Sequence, residues 1–135
     1  DKLMNLYEHG LPTSYSTGSF ALDHYYTVMP GELTVVTGIP GHGKSSFVEW
    51  LMINLIKEHK FRFGLFTPEH EPVETHIARL AELIDGRPFS KDVPAHKRMS
   101  LDGINNAVRL LEEHCHYVIP DALNRKVDDI SSEKR

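Results

Sequence analysis

The residues best equipped for chemistry stand together in the run Gly38-Ile39-Pro40-Gly41-His42-Gly43-Lys44-Ser45, which fills every position of the pattern G-x-x-x-x-G-K-[ST]. A polyphosphate carries several negative charges that must be held without losing their hydrogen bonds, and successive inward-pointing N–H groups of a loop can replace water on its oxygens. Side chains at Gly38, Gly41 and Gly43 would obstruct that approach or demand costly backbone angles. Lys44 supplies a mobile point charge for the β and γ phosphates, and the Ser45 hydroxyl is a ligand for Mg2+. The expected ligands are therefore a nucleoside triphosphate and Mg2+. The expected binding residues are Gly38, Pro40, Gly41, His42, Gly43, Lys44, Ser45 and Ser46, with His42 able to donate to a phosphate oxygen.

Such a loop works only if the flanking elements aim it. Residues 32–37, Glu-Leu-Thr-Val-Val-Thr, are largely β-branched and apolar and predict a strand, while residues 45–60 predict a helix. Strand, glycine-rich turn and helix follow one another, so that the positive end of the helix dipole and its unpaired first N–H groups meet the phosphates. In that helix Phe47, Val48, Leu51, Ile53, Leu55 and Ile56 cover much of the cylinder, with Trp50 read as core or interface and Glu49, Lys57, Glu58 and Lys60 as the solvated remainder.

A second strand is predicted over residues 61–67, ended by Pro68 and followed by Glu69-His70-Glu71. In parallel α/β sheets the strand ends gather on the ligand's rim, which places Glu69 to polarise an attacking water. Glu71 is the other candidate for that base. Both, with Glu74, also suit the start of the next helix, where the dipole favours acids. That helix carries the stripe Val73, Ile77, Leu80, Ala81 and Ile84 and stops at Gly86-Arg87-Pro88. Ser100 then caps a further helix with Ile104, Ala107, Val108 and Leu111 inside, and residues 116–120 predict a third strand.

Upstream, Ser16-Thr17-Gly18-Ser19-Phe20-Ala21-Leu22-Asp23 and the turn Pro30-Gly31 lead into the first strand. The combination S-T-G-x-x-x-L-D and P-G-E-L-T-x-V-T-G-x-P-G-x-G-K-S resembles the entry to the RecA-like ATPase core of ring-forming replicative helicases of the DnaB and Twinkle type, including phage primase-helicases. Thr67-Pro68-Glu69 is similar to the strand end that carries their glutamate, in a form closer to the Twinkle-like branch. The resemblance covers about residues 10 to 120, the first half of such a core. It implies an α/β fold, a RecA-like P-loop NTPase with a mostly parallel sheet and flanking helices, cut before the Walker B strand. Residues 1–16 are then a linker and 17–135 a partial ATPase domain. The resemblance also implies a motor that hydrolyses ATP and moves along single-stranded DNA as a hexameric ring, its DNA contacts lying in parts of a longer parent. KaiC-like or recombinase-like ATPases, and a nucleotide-gated interaction module that hydrolyses little, are the alternatives.

Composition narrows the remaining classes. The 135 residues are 40% hydrophobic, enough for a core and for one domain at most, and a net charge of -4 argues against a general phosphate-backbone binder. One cysteine, Cys115, excludes an internal disulfide framework, and no apolar run approaches a membrane span. The expectation is a cytoplasmic protein. Nine histidines show no metal-ligand spacing, since His70-Glu71-Pro72-Val73-Glu74 is not H-E-x-x-H and His114-Cys115-His116 lacks a second ligand pair. The first 16 residues predict a helical turn at most, with Leu3, Leu6 and Tyr7 covering the domain's own edge.

Overall fold

The computed structural model describes residues 2–10, 13–67 and 72–118, and the chain divides into two compact units, residues 1–60 and 61–135. The candidate base Glu69, its rival Glu71, and the expected strand residues 119 and 120 lie outside the described residues.

The first unit opens with helix α1, Lys2–His9, closed by the Gly10 N–H donating to Leu6 O over 2.9 Å. This is about two turns rather than the single turn expected. Leu3, Leu6 and Tyr7 do not cover an edge, being 71%, 42% and 84% exposed. Helix spacing alone gathered them on one face, and spacing does not supply a surface to bury that face against. The chain then makes a loop tied at its base by an antiparallel bridge between Tyr15 and Val28, with backbone bonds of 2.7 and 2.9 Å. Inside that loop is the short helix α2, Phe20–Asp23, whose N-cap Ser19 accepts from the Leu22 N–H.

Residues 32–37 correct an expectation. They carry the composition of a strand, yet no ladder pairs with them among the described residues, and Leu33 and Val35 are 91% and 71% exposed. A strand exists only through its neighbours' hydrogen bonds, so β-branched composition without a partner gives an extended segment. Helix α3, Lys44–His59, follows the glycine loop as expected and ends at Lys60, which takes the left-handed conformation (φ 59°) and donates to Ile56 O. Its buried residues are Glu49, Met52, Ile53, Leu55 and Ile56. Glu49 is thus inside rather than solvated, and Val48 is exposed, because positions 49, 52, 53 and 56 form one stripe whatever their polarity. Among the described residues no fully enclosed side-chain N or O lacks a hydrogen-bond partner.

The second unit holds a two-stranded parallel sheet. Strand β1, Phe63–Leu65, pairs with β2, Cys115–Tyr117, in the register Phe63 to Cys115, Gly64 to His116 and Leu65 to Tyr117. Both strands are shorter than expected and β2 begins one residue earlier. The ladder extends only where the two overlap, with the Val118 N–H adding one more bond to Leu65 O at 2.7 Å. Parallel strands need a crossover, and here it consists of helices α4, Val73–Asp85, and α5, Leu101–His114, packed against each other. Both helices follow their sequence signals. Gly86 closes α4 at φ 79° by donating to Glu82 O, and the Ser100 hydroxyl caps α5 by accepting from the Gly103 N–H at 3.1 Å. Ala81, Met99 and Ala107 form the core between them, with Ile84 and Ile104 at its border.

Two contacts in this unit depend on close fit. A Cβ at Gly103 would stand 2.6 Å from Asp85 Oδ1, so a glycine within α5 is what lets the end of α4 approach. The buried His114 ring places Nδ1 2.8 Å from Phe61 O, and the buried His76 places Nδ1 2.8 Å from the Tyr117 hydroxyl, which ties α4 to the end of β2. Among the described residues no helix is long and apolar enough to cross a membrane, and no three His, Cys, Asp or Glu side chains gather as a metal site.

Candidate phosphate-binding site

The glycine loop takes its shape from two left-handed residues. Gly41 stands at φ 78° and Gly43 at φ 81°, a region where an L side chain is strained. Between them the His42 N–H donates to Ile39 O at 3.3 Å, closing a tight turn, and the His42 ring sets Nδ1 3.2 Å from Pro40 O. Gly43 is the N-cap of α3, and its carbonyl receives the Phe47 N–H at 2.9 Å. A glycine cap has no side chain to accept from the helix's first amides, which by geometry also lack intrahelical acceptors. The amides of Lys44 and Ser45 therefore open the helix as donors to anything seated at its mouth.

Lys44 completes the arrangement. Its ammonium donates to Gly38 O at 2.9 Å and to Ile39 O at 3.1 Å, so the charge lies folded back against the start of the loop. A Cβ at Gly38 would come within 3.4 Å of the Lys44 stem, whereas Gly41 and Gly43 have nothing within 4 Å of a built Cβ. The Lys44 stem thus runs alongside Gly38 at ordinary contact distance, and Gly41 and Gly43 are glycines because of their backbone angles. Residues 38–43, Ser45 and Ser46 are exposed and Lys44 is half-buried. Chemically, the site offers main-chain donors, one ammonium and one hydroxyl at an open helix N-terminus. This donor set fits a polyphosphate and, at Ser45, a hard cation.

The structure therefore brings Gly38, Pro40, Gly41, His42, Gly43, Lys44, Ser45 and Ser46 together on one loop and helix start. Glu69 follows β1 in sequence but lies outside the described residues.

Sequence reasoning missed what holds residues 16–23 together. The Asp23 carboxylate gathers the loop around itself: Oδ2 accepts from Ser16 Oγ at 2.5 Å, and Oδ1 accepts from the Thr17 N–H at 2.7 Å and from Thr17 Oγ1 at 2.6 Å. These donors, the Ser16 hydroxyl foremost, hold its pKa below the ordinary carboxylate value, with nearby His59 lowering it further. Thr17 is fully buried as a result. The loop is fixed to α3 by Asn54 Nδ2, which donates to Thr17 O at 3.0 Å, and by His59 Nε2, 3.0 Å from Ser16 O. The Tyr15 ring meets His59 edge-on at 5.1 Å between centroids. The signal lay in the spacing of Ser16, Thr17 and Asp23, where short hydroxyl side chains precede an acid that can accept from them and from the backbone.

Over 81 residues the chain is 42% identical to the Twinkle homolog protein, chloroplastic/mitochondrial, of Arabidopsis thaliana. That stretch is 60% of this chain and 11% of the plant protein, so the chain spans about a tenth of its relative's length. No family model and no solved structure matches. Over part of its length, then, this chain is related to Twinkle-type proteins.

Proposed function

We propose that this chain is the nucleotide-binding part of a RecA-like P-loop ATPase, the motor of a replicative DNA helicase that hydrolyses ATP with Mg2+ and moves along single-stranded DNA. The supporting observation is the glycine loop: left-handed Gly41 and Gly43, a helix starting at Lys44, and the Lys44 ammonium lying against the loop. An arriving phosphate competes with the Gly38 and Ile39 carbonyls for that ammonium, and a charge-assisted bond to a phosphate oxygen is the stronger of the two. Gly38 to Ser46 hold the phosphates, Ser45 takes the metal ion, and Glu69 orients water, with Glu71 the other candidate for that task. DNA contacts and assembly into a hexameric ring belong to further segments of a longer protein. The similarity to a Twinkle homolog favours the helicase over a KaiC-like or recombinase-like ATPase.

Titration with Mg-ATP tests the first step. Lys44→Ala is expected to weaken binding at least about a hundredfold, the loss of a charge-assisted contact pair. In the full-length protein Glu69→Gln is expected to keep binding while suppressing turnover. Unchanged binding by Lys44→Ala would remove this loop from the mechanism, and failure of the full-length protein to open a forked duplex would remove the helicase assignment.

A further inference from the structure

Both flanks of the phosphate loop are bound to one piece of chain. Residues 15–28 form a loop closed at its base by the Tyr15–Val28 bridge and knit internally by Asp23 with Ser16 and Thr17. On one side this loop holds the helix that follows the glycines, through Asn54 to Thr17 O and His59 to Ser16 O. On the other side it holds the extended segment that precedes them, where the Tyr26 hydroxyl lies 3.0 Å from Thr34 Oγ1. The fit on the helix side is close, since a Cβ at Gly18 would stand 2.9 Å from Asn54 Nδ2 and 3.0 Å from Glu58 Oε1. On the segment side, residues 32–37 pair with no ladder among the described residues, so the Tyr26 contact is a tether that the backbone there does not duplicate.

We propose that residues 15–28 are a clasp that sets the separation and tilt of the two arms of the phosphate loop, with Asn54 and Tyr26 as positioning residues for nucleotide binding. The inference rests on the nucleotide reading of that loop. Its physical basis is leverage. Asn54 lies ten residues beyond Lys44 on one rigid helix, about 15 Å at 1.5 Å per residue. A tilt of about 4° at the clasp therefore moves the Lys44 end by about 1 Å, a displacement that matters for hydrogen bonds to a fixed ligand. Its contacts to α3 at Asn54 and to the segment at Thr34 are the routes by which the clasp acts on the loop.

The test uses the whole chain, labelled with 15N-glycine, and a fluorescent ATP analogue with Mg2+. Asn54→Ala is expected to shift the amide resonances of Gly38, Gly41 and Gly43 in the free chain and to weaken the analogue's Kd about five- to tenfold. Tyr26→Phe, which deletes one hydroxyl and keeps the ring, is expected to do the same about twofold to threefold, and it remains informative if Asn54→Ala fails to fold. If the wild type binds the analogue and both folded variants keep the wild-type glycine resonances and Kd, the clasp is overturned and the nucleotide reading survives. If the wild type takes up no analogue, the nucleotide reading falls and the positioning role with it, while the glycine resonances still decide whether the clasp acts on the loop.

Discussion

Two glycines of the first unit share almost the same backbone angle and differ in everything around it. Gly18 stands at φ 83° in the loop of residues 15–28, pressed against Asn54 and Glu58, while Gly41 stands at φ 78° with nothing within 4 Å of a built Cβ. The loops that hold them differ likewise. The first closes around polar groups, with Thr17 at 0% exposure and the Asp23 carboxylate filled by three donors, while its apolar Phe20 and Tyr25 stand 93% and 87% exposed. The second continues an apolar, β-branched segment and yet lies open, with Leu33 91% exposed. Burial here follows the satisfaction of hydrogen bonds more than hydropathy. A loop that supplies its own acceptors can be packed against a helix, and an apolar segment without a partner strand has nothing to pack against.

The largest expected contrast between the two loops comes from adding the same methyl group to both glycines. Gly18→Ala meets the left-handed penalty and an overpacked contact together, so the chain should lose about 2–4 kcal/mol of stability. Gly41→Ala carries only the backbone penalty, about 1–2 kcal/mol, because its Cβ enters open space. Urea denaturation of the two variants side by side measures the gap. Equal losses would mean that the closed loop is not closed against α3 in solution.

Acid should separate the same two loops. Asp23 has its pKa lowered in the folded chain, chiefly by the Ser16 hydroxyl, then by the hydroxyl and amide of Thr17. A carboxylate depressed by folding contributes stability that is fully present above its unfolded value and is lost as pH falls through the folded one. The contribution is therefore constant at neutral pH, begins to fall near about pH 4 and is lost as the pH drops through the lower folded value. Thermal melts of wild type and Asp23→Ala should differ most at neutral pH and converge in strong acid. A difference that does not shrink at all from neutral pH into strong acid would assign the loop's closure to something other than this charge.

How much of this was legible depends on whether a residue's role is local. Gly86 at the end of α4 and Ser100 at the start of α5 act within one turn of their own helix, and the sequence signals for both name the structure's caps. The glycine loop is legible for the same reason, since its spacing encodes the turn and the helix start together. Glu49 is not legible from its polarity, because position on a helical stripe decides its burial. Asn54 and His59 were silent because their partners lie 37 and 43 residues away in the chain, and no short pattern spans such a distance. Residues 32–37 were read correctly for composition and wrongly for pairing, because a ladder belongs to two segments and a sequence run describes one. The 3-residue strands of the second unit shortened for that reason too, each being only as long as its overlap with the other.

The smallest expected effect is the one that most sharpens the contrast between the loops. Leu33→Ser removes a large apolar side chain that is 91% exposed, so the stability of this chain should change by no more than about 0.5 kcal/mol. The same deletion of apolar bulk in a buried position, Ile56→Ala in α3, should cost about 2–5 kcal/mol. Urea midpoints decide between them at fixed protein concentration. Should Leu33→Ser cost as much as Ile56→Ala, the segment before the phosphate loop is covered in solution, by a strand of another copy or of its own chain. Repeating the measurement over a range of concentrations separates those two, because only pairing between copies makes the midpoint rise with protein.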